Sequence, residues 1–197
     1  MRRYYAGIEE EALDYNNCHV LLQSIPYDGT STWGKGADKG YEAFMNASDN
    51  MEIYDIETDT EPYKVGVYVL DPNTEKSSPE AMFLSTYHNA KEHLETGKVV
   101  SYFGGEHSVS IGIIKAIYEK HPDITILQID AHADLRPEYL GTPYNHACAV
   151  YDASKHCNLI QVGIRSMDIH VFFFMNIHNL YSFLYVIVVF SSMVPLI

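Results

Sequence analysis

Ile124-Thr-Ile-Leu-Gln-Ile-Asp-Ala-His-Ala-Asp-Leu-Arg136 carries two messages in one stretch. Its first part, Ile124–Ile129, reads as the strongest strand of the chain. It is an apolar run without clean alternation, the pattern of a strand placed centrally in a parallel sheet and buried on both faces. Its second part changes character: Asp130, His132 and Asp134 recur every second residue, with Ala131 and Ala133 between them. If the backbone stays extended there, the three side chains project to one face. They follow a strand, so they lie at its carboxyl end, where open α/β sheets hold their ligands. Two carboxylates and an imidazole meeting in that space make a cation site, and the mixture of hard oxygen with borderline nitrogen suits manganese, iron or zinc better than calcium. The competing reading, a solvated strand face, is opposed by the small alanines and by the unalternating run that precedes them.

Working outward, Lys98-Val-Val-Ser-Tyr-Phe103 reads as another strand, which stops at Gly104-Gly-Glu-His-Ser108. Paired glycines permit a tight turn. His107 is thereby set at the mouth of the sheet, next to where Asp130 would emerge if the two strands are neighbours. From Ser108 to Lys120 the sequence is helical, with Ile113, Ile114 and Ile117 on its apolar face, and His121-Pro-Asp123 ends it. Further upstream a helix is fully punctuated: Ser78 at the N-cap, Pro79 at the first position, Glu80 at the positive end and Gly97 past the end. His88 and His93 stand five apart on it, which does not align them on one face. Cys18–Ile25 reads as the first strand and Leu159–Val162 as the last, while the segment from Ile53 to Leu70 holds strand-like pieces of no clear arrangement. Gly34, Gly36 and Gly40 mark a loop whose spacing does not match a dinucleotide fingerprint. Strands alternating with helices point to an α/β protein with a mainly parallel sheet.

Bulk properties narrow the function classes. Thirteen Lys and Arg against 26 Asp and Glu give a net charge of -13, which argues against a nucleic-acid partner and fits a cationic ligand. At 47% hydrophobic and 20% charged residues the chain is globular rather than disordered. Cys18, Cys148 and Cys157 are scattered and odd in number, so no disulfide framework is expected. Arg2-Arg3 is followed by acidic residues instead of an apolar core, so no secretory signal is expected. A reducing, cytoplasmic setting follows, in which Asn46-Ala-Ser48 would never be glycosylated.

Gly104-Gly-Glu-His-Ser108 followed by Asp130-Ala-His-Ala-Asp-Leu-Arg136 resembles the ureohydrolase family of arginases, agmatinases and formimidoylglutamases. The resemblance extends through most of residues 18–168. It includes Ile25-Pro-Tyr-Asp-Gly-Thr-Ser31, similar to the family's first active-site loop, and Tyr139–Cys148, similar to its segment bearing a proton-handling histidine. The resemblance implies a three-layer α-β-α fold and a site for two manganese ions. His107 and Asp134 would hold the first ion, Asp130 would bridge, and His132 would hold the second. His146 would be the proton shuttle, and Glu106 a polar neighbour rather than a ligand. The implied reaction is hydrolysis of a cationic guanidino compound, agmatine to putrescine and urea being preferred on the form of the two motifs. Arginase, guanidinobutyrase and formimidoylglutamase activities stay open. Trimers or hexamers are implied for intact members.

The family supplies two further aspartates from a later Asp-x-Asp motif, and no such motif follows Arg165 here. Asp168 is the last charged residue; residues 169–197 contain no Asp, Glu, Lys or Arg but include Phe172, Phe173, Phe174, Tyr181, Phe183, Tyr185 and Phe190. Residues 1–168 are therefore expected to be the N-terminal part of one ureohydrolase domain, incomplete at its end. Residues 169–197 are expected to be an aberrant tail from a frameshift, a retained intron or a gene-model error. A membrane anchor over 180–197, lacking basic flanks, and a genuine buried apolar segment are the alternatives. On this reading the chain folds poorly and is nearly inactive; a non-catalytic paralogue associating with full-length subunits is the competing class.

Overall fold

The computed structural model describes residues 3–8, 14–177 and 182–183. Strands β1 (Val20–Ile25), β2 (Val67–Val69) and β3 (Val99–Gly104) form one parallel sheet in the order β2-β1-β3. Strands β4 (Thr125–Ile129), β5 (Asn158–Val162) and β6 (Ser182–Phe183) form a second, also parallel, in the order β4-β5-β6. The helices are α1 (Gly40–Ser48), α2 (Pro79–Leu94), α3 (Ser110–Lys120) and α4 (Ile169–Ile177). The class is the expected one, α/β with parallel strands and flanking helices.

The first sheet is sandwiched. On one face Leu22 and Val69 pack with Tyr41 and Met45 of α1, joined by Phe44 and Phe103. On the other, Ile25 and Tyr102 pack against Met82 and Ala90 of α2 and Ile113 and Ala116 of α3. Odd and even positions of β1 thus serve different layers, which explains why nearly the whole strand is buried. Ser78 caps α2 as its type predicts, its hydroxyl accepting from Ala81 N at 3.0 Å, with Pro79 next and Gly97 at φ 68 beyond the end. Helices α2 and α3 approach closely at Gly112, where a Cβ would come within 2.4 Å of Thr86 Oγ1 and 2.5 Å of Phe83 O.

The second sheet is covered on one face only. Leu159 and Ile164 pack with Ala133, Leu135, Val150, and Val171 and Met175 of α4. On the opposite face Leu127 and Ile129 are 59% and 70% exposed, and Ile160 is exposed as well. This corrects the central placement expected for Ile124–Ile129. Among the described strands β4 is an edge, paired only with β5 (Thr125↔Asn158 to Ile129↔Val162), and its apolar run is buried on one side alone. Helix α4 begins just past Asp168, and β6 pairs with β5 at Gln161↔Ser182 and Val162↔Phe183. No helix among the described residues is long and apolar enough to cross a membrane, and most of the 180–197 segment lies outside them.

Candidate metal centre

His107 enters from the turn after β3, and Asp130 and Asp134 from the loop after β4, so the cluster draws on both sheets. Gly105 makes the first turn possible: a Cβ there would lie 1.8 Å from Tyr27 O. Glu106 N donates to that same carbonyl at 2.9 Å. The β4 loop is strung on a backbone ladder, with Arg165 N and Ser166 N donating to Ala131 O and Ala133 N donating to Ser166 O. Beneath it, buried Gln161 donates from Nε2 to Gln128 Oε1 at 2.5 Å and to Ala133 O at 2.7 Å, and Gln128 Nε2 donates to His132 O at 3.3 Å. The two glutamines face each other in register on β4 and β5. They clamp the loop from which the ligand residues hang.

The period-of-two alternation carries only part of this loop. Asp134 has φ 48, in the left-handed region, so a turn and not continued extension brings its carboxylate back toward His107. His107 Nδ1 lies 2.7 Å from Asp134 Oδ2 and 3.4 Å from Asp130 Oδ2. One ligand atom from each of the three residues falls within 4.8 Å of the others. His132 stands beside this cluster: its Nδ1 is 3.5 Å from Asp130 Oδ1, its backbone N donates to the same oxygen at 2.8 Å, and its ring is mostly exposed. Burial works against charge on His107, but the hydrogen bond to Asp134 and the negative charges of Asp134, Asp130 and Glu106 outweigh it, so its pKa is raised. An imidazole held between two carboxylates is a cation's coordination sphere with a proton in the cation's place. The residues present fit a divalent ion of the manganese, iron or zinc type.

The cluster opens onto a cavity of about 630 Å³, lined also by Ser31, Trp33, Arg136, Tyr139, His146 and Asp168. His146 reaches it from a short 3-10 turn that Asn145 caps by accepting from Ala147 N. The opposite wall is the loop after β1. There Asp28 accepts from Ser31 Oγ and from Gly36 N, bonds that hold its carboxyl below the usual range, the Ser31 bond most. Thr30 of that loop joins the other two segments: its backbone N and hydroxyl reach Glu106 Oε1, and its Oγ1 contacts both His146 N and His146 Nδ1. Glu106 was expected as a polar neighbour only, and Thr30 and the glutamine pair were not singled out by the sequence. Only their adjacency to Gly104-Gly105 and their register on facing strands could have flagged them.

Parallel strands with His, Asp and Asp converging at their carboxyl ends define an α/β protein with a candidate metal site. The Arginase family profile matches residues 18–184, and the chain belongs to that family. Its sequence relatives are agmatinase-like. It is 34% identical over 172 residues to N(1)-aminopropylagmatine ureohydrolase of Synechocystis sp., covering 83% of this chain and 54% of that protein. It is 35% identical over 161 residues to the enzyme of the same name from Thermus thermophilus, covering 81% and 55%. The solved agmatine ureohydrolase of Thermoplasma volcanium superposes with a TM-score of 0.76 at 26% identity, covering 87% of this chain and 57% of that one. The chain thus spans about half the length of the curated relatives it matches.

Proposed function

We propose that this site serves manganese-dependent hydrolysis of a guanidino compound, agmatine to putrescine and urea in the first instance. The observation that carries the reading is the convergence of His107, Asp130 and Asp134 from two sheets into one cluster at the mouth of an acidic cavity. His107 and Asp134 would hold one ion, Asp130 would face both positions, and His132, which lies against Asp130, would hold the second. Bound manganese would supply Lewis-acid charge and bring the pKa of a water toward neutrality. The chain's own residues supply the rest. The cluster's carboxylates favour a guanidinium over a neutral ligand, while Asp168 of the same lining is paired with Arg136 at 3.1 Å. His146, which lines the cavity, would take a proton from the attacking water and pass it to the departing amine.

N(1)-aminopropylagmatine is the second reading, favoured by the names of the Synechocystis and Thermus relatives. It bears the same guanidino head on a longer polyamine. Agmatine and N(1)-aminopropylagmatine offered to the purified chain with manganese, with urea measured, separate the two. His107→Ala is the control. The chain places few ligands around the second ion, so the expected rate is low but above that control. Wild type equal to His107→Ala on both substrates overturns the reading.

A further inference from the structure

Thr30 lies between a buried carboxylate and the histidine of the cavity wall. Its Oγ1 is 2.9 Å from Glu106 Oε1, 3.0 Å from His146 N and 3.2 Å from His146 Nδ1. A hydroxyl has one proton to give and two lone pairs to receive. The backbone N–H of His146 can only donate, so it occupies one lone pair.

Glu106 fixes the proton. Glu106 is 8% exposed, and Thr30 N (3.2 Å), Ser108 N (2.8 Å) and Ser108 Oγ (2.6 Å) all point at its carboxyl. A backbone N–H points at each carboxyl oxygen, Thr30 N at Oε1 and Ser108 N at Oε2, so both oxygens serve as acceptors. The Thr30 hydroxyl therefore donates to Glu106. Its second lone pair then faces His146 Nδ1, and that contact is a hydrogen bond only if Nδ1 carries the proton. Turning the hydroxyl toward Nδ1 instead would take a donor from a buried carboxylate, which is the costlier arrangement.

We infer that Thr30, anchored by Glu106, is a positioning residue that holds neutral His146 as the Nδ1–H tautomer, with the lone pair on Nε2 available to the cavity. Free histidine prefers the other tautomer, so the network selects against the default. The consequence for the reaction rests on the function proposed above. Nε2 accepts a proton from water, the ring becomes imidazolium with Nδ1–H still on Thr30, and Nε2 returns the same proton to the departing amine. The ring ends as it began.

The tautomer is measurable without turnover. In the metal-free 197-residue chain labelled with ¹⁵N-histidine, long-range ¹H–¹⁵N correlation at mildly alkaline pH reports each ring, and His146→Gln assigns the one in question among ten histidines. The expected wild-type pattern is a protonated Nδ1 and a bare Nε2. Thr30→Val is expected to shift His146 to mainly Nε2–H, and Thr30→Ser to restore the wild-type pattern. A wild-type ring already protonated at Nε2 overturns the inference, as does a folded Thr30→Val with an unchanged pattern. If Thr30→Val does not fold, the wild-type spectrum decides alone. Absence of manganese binding or urea release in the wild type would count against the proposed function and leave this result untouched.

Discussion

His107 Nδ1 sits 2.7 Å from Asp134 Oδ2 across 27 residues of chain, a helix and a strand. The contact joins the turn after β3 to the loop after β4, and it is made by groups that in another setting would compete for the same cation. The carboxylate beside the ring favours a proton on His107.

That proton gives the metal-free protein a definite pH response. The folded pKa of His107 is raised, so its ion pair contributes in full below the unfolded histidine value, about 6.5, and is lost as pH rises through the folded value. Thermal unfolding in chelator is expected to show a declining contribution from this group above that point. Asp134→Asn, which removes the charge facing the ring, should flatten the slope. Manganese affinity runs the other way, because the ion must displace the proton. The apparent Kd should fall between about pH 6 and 8. A pH-independent Kd would remove the basis for placing His107 at the ion.

Gly105→Ala tests the turn. The added Cβ would meet Tyr27 O at 1.8 Å, so either the turn opens or the β1 loop moves, and the bond from Glu106 N to that carbonyl is lost. The expected cost is about 1–3 kcal/mol in denaturant unfolding, the range for overpacking a tight site. It should come with weaker manganese binding, since His107 lies two residues on.

Gln161→Leu tests the clamp under the metal loop. It strips donors from Gln128 Oε1 and Ala133 O together, both in the interior. Leaving buried acceptors unpaired costs roughly 1–3 kcal/mol. Because Ala133 lies beside Asp134, manganese affinity is expected to drop as well. A variant that loses stability but binds the ion as before would show that the clamp supports the sheet and not the site.

Ser78→Ala is the local control. Its cap on α2 does not line the cavity, so stability should fall by about 1 kcal/mol with metal affinity unchanged. Leu127→Thr with Ile129→Thr probes the uncovered face. Both side chains are mostly exposed, so solubility should rise while the unfolding midpoint moves little, within about 0.5 kcal/mol.

The sequence made some of these features plain and hid others, for physical reasons. Ser78-Pro79 and Gly97 bracket α2 because caps are local chemistry, and Gly104-Gly105 marks the turn because it has no side chain to disguise it. Helix α1 escaped notice. Gly40 opens it and Asn46 and Ser48 lie near its end, so it reads as loop. Yet Tyr41, Phe44, Met45 and Ser48 hold the spacing of a buried face. The apolar run of β4 suggested a central strand because composition cannot tell a covered face from an open one. Asp134 was found for the wrong geometric reason: its place in the alternation is right, but its backbone leaves the extended region. Thr30 meets His146 across 116 residues, a contact that no local pattern announces.

The two three-stranded sheets share no hydrogen-bonded strand among the described residues, and the metal cluster lies where their ends come together. A cation lodged there is a rivet through a seam. Its arrival should stiffen both plates at once, so amide exchange would slow in β3 as well as β4, and a chelator would loosen the joint before it melted either plate.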